Sequence, residues 1–147
     1  AIVATGNENA VFLWNPTSPA AQTASLTDPH EYSVTSVAFS PNGATLAATD
    51  NGGYTYLWNA ATGDRTATLT DPSSGGVTAV AFSPNGTTLA TGAENSITDL
   101  WNAATGKRTA TFTDPNSKGI SSVAFSPNGA ILATADLNGS TYLWNIS

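Results

Sequence analysis

Along this chain, apolar and polar residues alternate in short runs, and each run is closed by Gly, Pro, Asn or Asp. The stretch from Val34 is representative. "VTSVAFS" (34–40) places Val37 and Phe39 on one face of an extended segment. "SPNG" then turns the chain, Pro41 fixing φ and Gly43 free to take a positive φ. "TLAAT" (45–49) is predicted as a second strand and "DNGG" (50–53) as a turn. "YTYLWN" (54–59) is a third strand, alternating Tyr54, Tyr56 and Trp58 with Thr55 and Leu57. After the turn "NAATG" (59–63), "RTATLT" (65–70) is the fourth. Nowhere do apolar residues recur at helical spacing, and β-branched residues dominate, so an all-β fold is predicted.

The pattern repeats. "SPNG" stands at 40–43, 83–86 and 126–129, and "TDP" at 27–29, 70–72 and 113–115, each with a spacing of 43 residues. Four antiparallel strands in that period are the signature of a β-propeller blade. A leucine-rich repeat is about half as long, and ankyrin or tetratricopeptide units need helical periodicity. The chain therefore divides as one repeat domain, 1–147. It comprises a partial blade (1–33), two blades (34–72 and 77–115) and a second partial blade (120–147). The first part supplies second, third and fourth strands, and the last supplies first, second and third. An open arc of this kind exposes apolar blade faces and strand edges at both ends, around Val3, Val11 and Leu13 and around Ile131, Leu132, Tyr142 and Trp144. The expectation is a closed ring. Either two copies meet head to tail as a homodimer with eight blade positions, or the remaining blades belong to a longer parent chain.

"VTSVAFSPNGATLAATDNGGYTYLWNAATG" resembles the WD-repeat β-propeller family, and the resemblance extends over essentially the whole chain. Blades of that family typically read V-x-S-V-A-F-S-P-D-G, then an L-A-S-G-like strand, a D-G turn and L-W-D. The family's Gly-His is replaced here by "TDP", with Asp28, Asp71 and Asp114. Its Trp-Asp is replaced by Trp-Asn, at Trp14, Trp58, Trp101 and Trp144. The resemblance implies a hydrogen-bonded tetrad of His, turn Asp, second-strand Ser or Thr, and Trp. The His has no counterpart, and the second-strand position holds Thr5, Ala48, Thr91 and Thr134. Each Trp N–H then needs Thr, backbone or water as its acceptor. Segments with "TDP" and "STYLWN" look like the propeller halves of bacterial multidomain proteins, some attached to serine/threonine kinases.

Composition narrows the function. The chain has 147 residues, 40% of them hydrophobic, enough for a core. It contains no apolar run of membrane-spanning length. Four basic against ten acidic residues give a formal charge of −6, which argues against a nucleic-acid partner. With no cysteine, disulfide and thiolate chemistry are excluded. With no methionine, the chain reads as a processed product or part of a longer protein. Its first residues lack the pattern of a signal peptide. Few lysines beside abundant Thr, Ser, Asn, Ala and Gly lean toward an exported protein.

Candidate chemistry is sparse. One Trp per repeat at a fixed strand position reads as blade packing, so Trp14, Trp58, Trp101 and Trp144 are assigned structural roles rather than sugar stacking. His30 is the single histidine and sits in a segment, "DPHEYS", unlike its counterparts; a solvated loop is expected there, with little effect of His30 on stability. A calcium loop of the D-x-[DN]-x-[DN]-G type is not present, and "DNGG" and "DLNG" read as Asx turns. No catalytic residue, metal or cofactor is predicted. In the family, the loops before each first strand share a face with the second-to-third-strand turns. That face carries Glu8, Asp28, Glu31, Asp50, Asp71, Glu94, Asp114 and Asp136 against Lys118, and the opposite face carries Asp64, Arg65, Lys107 and Arg108. The expectation is a non-enzymatic scaffold for a protein or small ligand. Its binding residues are Asp28, His30, Glu31, Asp50, Asp71, Glu94, Asp114 and Asp136, facing a basic partner or a cation. The alternatives are a carbohydrate-binding propeller with one equivalent sugar site per blade, and a sensor or structural part of a larger protein such as a kinase.

Overall fold

Alternation along each strand sorts side chains toward two neighbouring sheets, and this governs the whole architecture. The computed structural model describes residues 2–15, 22–27, 29–71 and 75–147. The first sheet has three strands, β1 (Val3–Gly6), β2 (Ala10–Trp14) and β3 (Gln22–Thr27). The second has four, β4 (Val34–Phe39), β5 (Thr45–Asp50), β6 (Tyr54–Asn59) and β7 (Arg65–Thr70). The third repeats it with β8 (Val77–Phe82), β9 (Thr88–Ala93), β10 (Ile97–Asn102) and β11 (Arg108–Thr113). The fourth contains β12 (Ile120–Phe125), β13 (Ile131–Asp136) and β14 (Thr141–Asn145). All pairings are antiparallel between consecutive strands, and no helix occurs among the described residues. The sheets follow one another as blades of an open arc, with β4 beside β8 and β8 beside β12. The strands expected from the pattern of 34–70 match the observed ones to within one residue.

The turns explain why the strands stop where they do. In "SPNG", the Gly N–H donates to the Ser carbonyl at 2.8 Å in all three copies, and Gly43, Gly86 and Gly129 take φ of 71°, 73° and 73°. A side chain is strained there, so only glycine closes this turn cheaply. In "NAATG", Asn59 Oδ1 accepts from the N–H groups of Ala61 (2.9 Å) and Thr62 (3.1 Å), and Asn102 does the same for Ala104 and Thr105. Asparagine thus performs the turn-closing work available to an aspartate, with no charge.

Between blades, an Ala-and-Leu face meets a Leu-and-Trp face. Val11, Leu13 and Leu26 of the first sheet pack on Leu46, Tyr56 and Trp58 of the second. Ala47, Leu57 and Leu69 of the second pack on Val80, Leu89 and Trp101 of the third. Ala90 and Leu100 pack on Ile120, Val123 and Leu132 of the fourth, with Phe112 and Trp144 alongside. A polar link accompanies each of the last two junctions. At bulges in β4 and β8, the hydroxyls of Thr35 and Thr78 donate to the backbone carbonyls of Val77 and Ile120 in the next blade. The interlock runs out at the ends. Leu57 is 1% exposed, whereas Leu143 at the same repeat position is 70% exposed; Leu46 is 0% exposed and its counterpart Val3 47%.

Trp101 is buried, donates its indole N–H to Thr91 Oγ1 at 2.8 Å, and fills the second interlock. Trp101→Ala is expected to cost about 3–5 kcal/mol, the usual range for a large core aromatic, as a lowered urea midpoint. A cost below about 1 kcal/mol would show that the blades do not depend on this contact.

Candidate functional site

Two sets of loops are tied together on one face of the arc. Val34 N–H donates to the Asn7 carbonyl (3.0 Å), Asn51 exchanges two bonds with Ser33 (both 3.1 Å), Glu94 N–H donates to the Gly76 carbonyl (2.9 Å), and Leu137 N–H to the Gly119 carbonyl (2.9 Å). Each bond joins a second-to-third-strand turn to the loop that precedes a first strand. The eight acidic residues assigned to this face separate sharply by burial. Glu8, Glu31 and Glu94 are exposed, as are Lys118 and His30. Asp50, Asp71, Asp114 and Asp136 are buried, and Asp28 lies outside the described residues. The picture of a continuous carboxylate surface is therefore corrected. The short Asp side chains fold inward to serve N–H groups and hydroxyls, and the longer Glu side chains reach water.

Asp50 Oδ1 accepts from the N–H groups of Gly52 and Tyr54, both at 2.9 Å. Asp136 Oδ1 accepts from Ser140 N–H (2.8 Å) and Asn138 N–H (3.2 Å). These are the Asx turns expected of "DNGG" and "DLNG". Asp114 does something the sequence did not suggest. Trp144 Nε1 donates to Thr134 Oγ1 at 3.0 Å, and the Thr134 hydroxyl donates to Asp114 Oδ2 at 2.7 Å. Asp114 belongs to the third "TDP", so a carboxyl group occupies the place the resemblance gives to histidine. The first link recurs as Trp14 to Thr5 (2.9 Å) and Trp101 to Thr91 (2.8 Å), and Ala48 offers Trp58 no such hydroxyl. Asp114 Oδ1 and Asp136 Oδ2 are buried without a hydrogen-bond partner among the described residues. Burial pushes the Asp114 carboxyl above its ordinary range against the pull of the Thr134 bond, and the charge of Asp136 pushes it further.

A second buried carboxyl lies in the third blade. Asp99 stands where the other repeats carry Phe12, Tyr56 and Tyr142. It accepts from Thr111 Oγ1 at 2.5 Å and from Arg108 Nη1 at 3.1 Å, and Arg108 also lies over the Trp101 ring at 5.8 Å. Its pKa is raised: burial is the largest single influence and lifts it, the Thr111 and Arg108 bonds pull it down, and the neighbouring Asp71 lifts it again.

His30 is also corrected. Its ring lies flat on Tyr54, with centroids 4.1 Å apart and planes 6° apart, and its Nδ1 is 2.6 Å from the Tyr56 hydroxyl. Tyr32 stacks on Tyr54 at 6.2 Å, and Arg65 lies over Tyr56 at 5.8 Å. Strand alternation aligns Tyr54 and Tyr56 on one face, and the preceding loop lays His30 and Tyr32 along them. The counterparts of Tyr54 are Ala10, Ile97 and Ser140, so the stack belongs to the second blade. The variable "DPHEYS" segment was the only sequence signal for it.

Successive antiparallel blades, the last two linked by this Trp–Thr–Asp chain, define a β-propeller segment. Residues 22–59, 63–102 and 106–145 match the family described as WD domain, G-beta repeat, and the chain belongs to that family. Each match begins at or just before the outer strand of one blade and ends in the third strand of the next. A search of the curated proteins found no match.

Two substitutions test these roles. A raised folded-state pKa means that the proton on Asp114 favours folding. That contribution is present below the unfolded value and is lost as pH rises through the folded one. Asp114→Asn keeps an acceptor for Thr134, adds an N–H donor for Asp136 and cannot ionise. It is expected to stabilise the fold at pH 7 by about 1 kcal/mol, with the gain shrinking as the pH is lowered. Urea melts at the two pH values measure this, and destabilisation at pH 7 would contradict it. His30→Ala removes the stack and the Tyr56 bond and is expected to cost about 1–2 kcal/mol in the same assay. An unchanged midpoint would return His30 to the role of a solvated loop residue.

Proposed function

We propose that the chain is a non-enzymatic recognition scaffold that binds a basic protein or peptide on the loop face. WD repeats serve in general as protein-interaction scaffolds, and their propellers are generally non-enzymatic. One observation carries the reading. Exposed Glu8, Glu31 and Glu94 sit on a face where Lys118 is the cation assigned, beside the exposed ring of Tyr32. Carboxylates attract Lys and Arg side chains, and an exposed aromatic ring takes a guanidinium on its face. The buried aspartates contribute to shape and rigidity. An Arg-rich peptide titrated into labelled protein is expected to shift loop resonances around Glu31 and Glu94. Its affinity should fall steeply with salt, and about tenfold on Glu31→Lys with Glu94→Lys. A basic peptide that maps instead to the "SPNG" turns overturns the assignment.

We further propose that the partner at the two ends of the arc is a second copy of the chain, closing an eight-position ring. The support is the interlock itself. Leu143 presents the face that Leu57 presents to the third blade, and Val3 presents the face that Leu46 and Leu89 present to their neighbours. Light scattering on residues 1–147 is expected to give a dimer that Leu143→Asp converts to monomer. A folded, soluble wild-type monomer at micromolar concentration would overturn it.

A further inference from the structure

The face opposite the acidic loops carries the same cavity at two successive blade junctions. One, of about 520 Å³, lies between the turn at Ser40–Pro41–Asn42 and the turn at Pro84–Asn85–Gly86, with Phe82 in its wall. The other, of about 640 Å³, lies between Ser83–Pro84–Asn85 and Asn128–Gly129, with Phe125 in the same place. Ser40, Asn42, Phe82 and Asn85 of the first correspond, 43 residues on, to Ser83, Asn85, Phe125 and Asn128 of the second. Both volumes fall within the range of small-molecule sites. The turns are held in register by contact between blades. A Cβ on Gly86 would stand 3.4 Å from Pro41 Cδ, and one on Gly129 would stand 3.6 Å from Pro84 Cδ.

Hydrogen bonding inside each turn fixes what it offers to a ligand. Asn42 Oδ1 accepts from Ser40 Oγ (2.8 Å) and Ala44 N–H (3.0 Å). Asn85 Oδ1 accepts from Ser83 Oγ (2.7 Å) and Thr87 N–H (3.0 Å), and Asn128 Oδ1 from Ser126 Oγ (2.7 Å) and Ala130 N–H (3.1 Å). With the oxygen committed, both N–H groups of each Nδ2 are left without an intramolecular partner among the described residues. Each cavity is therefore flanked by two asparagine amides, one from each blade, with proline and half-buried phenylalanine between them. Neither lining contains a charged residue. A charged ligand would lose hydration with nothing to pair it, and a purely apolar one would leave the amides unmet.

We propose that these junctions are repeated binding sites for neutral carbohydrate, with ring hydroxyls accepting from the asparagine amides and the C–H face of the sugar on phenylalanine and proline. Two equivalent sites one blade apart suit a repeating glycan, because modest single-site affinities combine when both sites are engaged. The acidic face plays no part in this, so the site stands or falls independently of a basic partner.

Labelled protein titrated with glucose, galactose, mannose, N-acetylglucosamine and their disaccharides provides the test. The expected result is movement of the Asn42, Asn85 and Asn128 side-chain amide signals and of the Gly86 and Gly129 backbone signals, insensitive to salt. Asn85→Asp keeps the oxygen that closes the turn and removes a donor from both cavities; it is expected to weaken binding about tenfold at each. Asn128→Asp is expected to weaken one cavity and spare the other. Absence of shifts with every sugar at tens of millimolar overturns the proposal. So do shifts confined to the acidic loops, or a neutral proline-rich peptide binding the cavities where the sugars do not.

Discussion

The contact on which this structure depends is the seating of one blade's leucine against the tryptophan and leucine of the next, as Leu57 seats against Trp101 and Leu89. No blade has a core of its own. Each is a single sheet whose two faces become interior only when neighbours cover them, so stability is a property of junctions. The order of the arc, the cavities at its junctions and the exposed apolar ends all follow from that one constraint. Within the arc both faces are dry; at Leu143 and Val3 the same side-chain positions meet water.

Into these dry junctions the repeat places carboxyl groups, which need a compensating arrangement. Asp114 has the Thr134 hydroxyl, and Asp99 has the Thr111 hydroxyl and the Arg108 guanidinium. In the last blade the third "TDP" thus puts a carboxyl group where a histidine-based relay has its imidazole, accepting from the Thr134 hydroxyl. At Asp114 and Asp99 burial outweighs these bonds as the largest single influence, and both carboxyls lie above their ordinary range.

The two faces of the arc divide chemically because the two kinds of turn do. Second-to-third-strand turns and the long loops carry glutamates, His30 and Tyr32, giving a charged and aromatic surface. The "SPNG" and "NAATG" turns are built from residues that spend their polar atoms on their own backbone and leave amide N–H groups outward.

The period of 43 residues, the four strands within it and the structural role of tryptophan were legible in the sequence, because strand alternation and turn chemistry act over a few residues. The exchange of Trp-Asp for Trp-Asn is also local, and its turn forms as the composition implies. What tertiary structure alone decided was burial and pairing across the repeat. Sequence placed Asp50, Asp71, Asp114 and Asp136 in loops on one face, and packing turned their carboxyls inward, away from any partner. His30 looked like a free loop residue because its partners, Tyr54 and Tyr56, lie together in β6, two strands and two turns further along the chain. The paired asparagines of the junction cavities were visible as three copies of one turn, yet nothing in a linear repeat says that neighbouring copies face each other across a gap. Local rules fixed the blade; the contacts between blades, which join residues some 43 positions apart, fixed which side chains meet and which remain for a ligand.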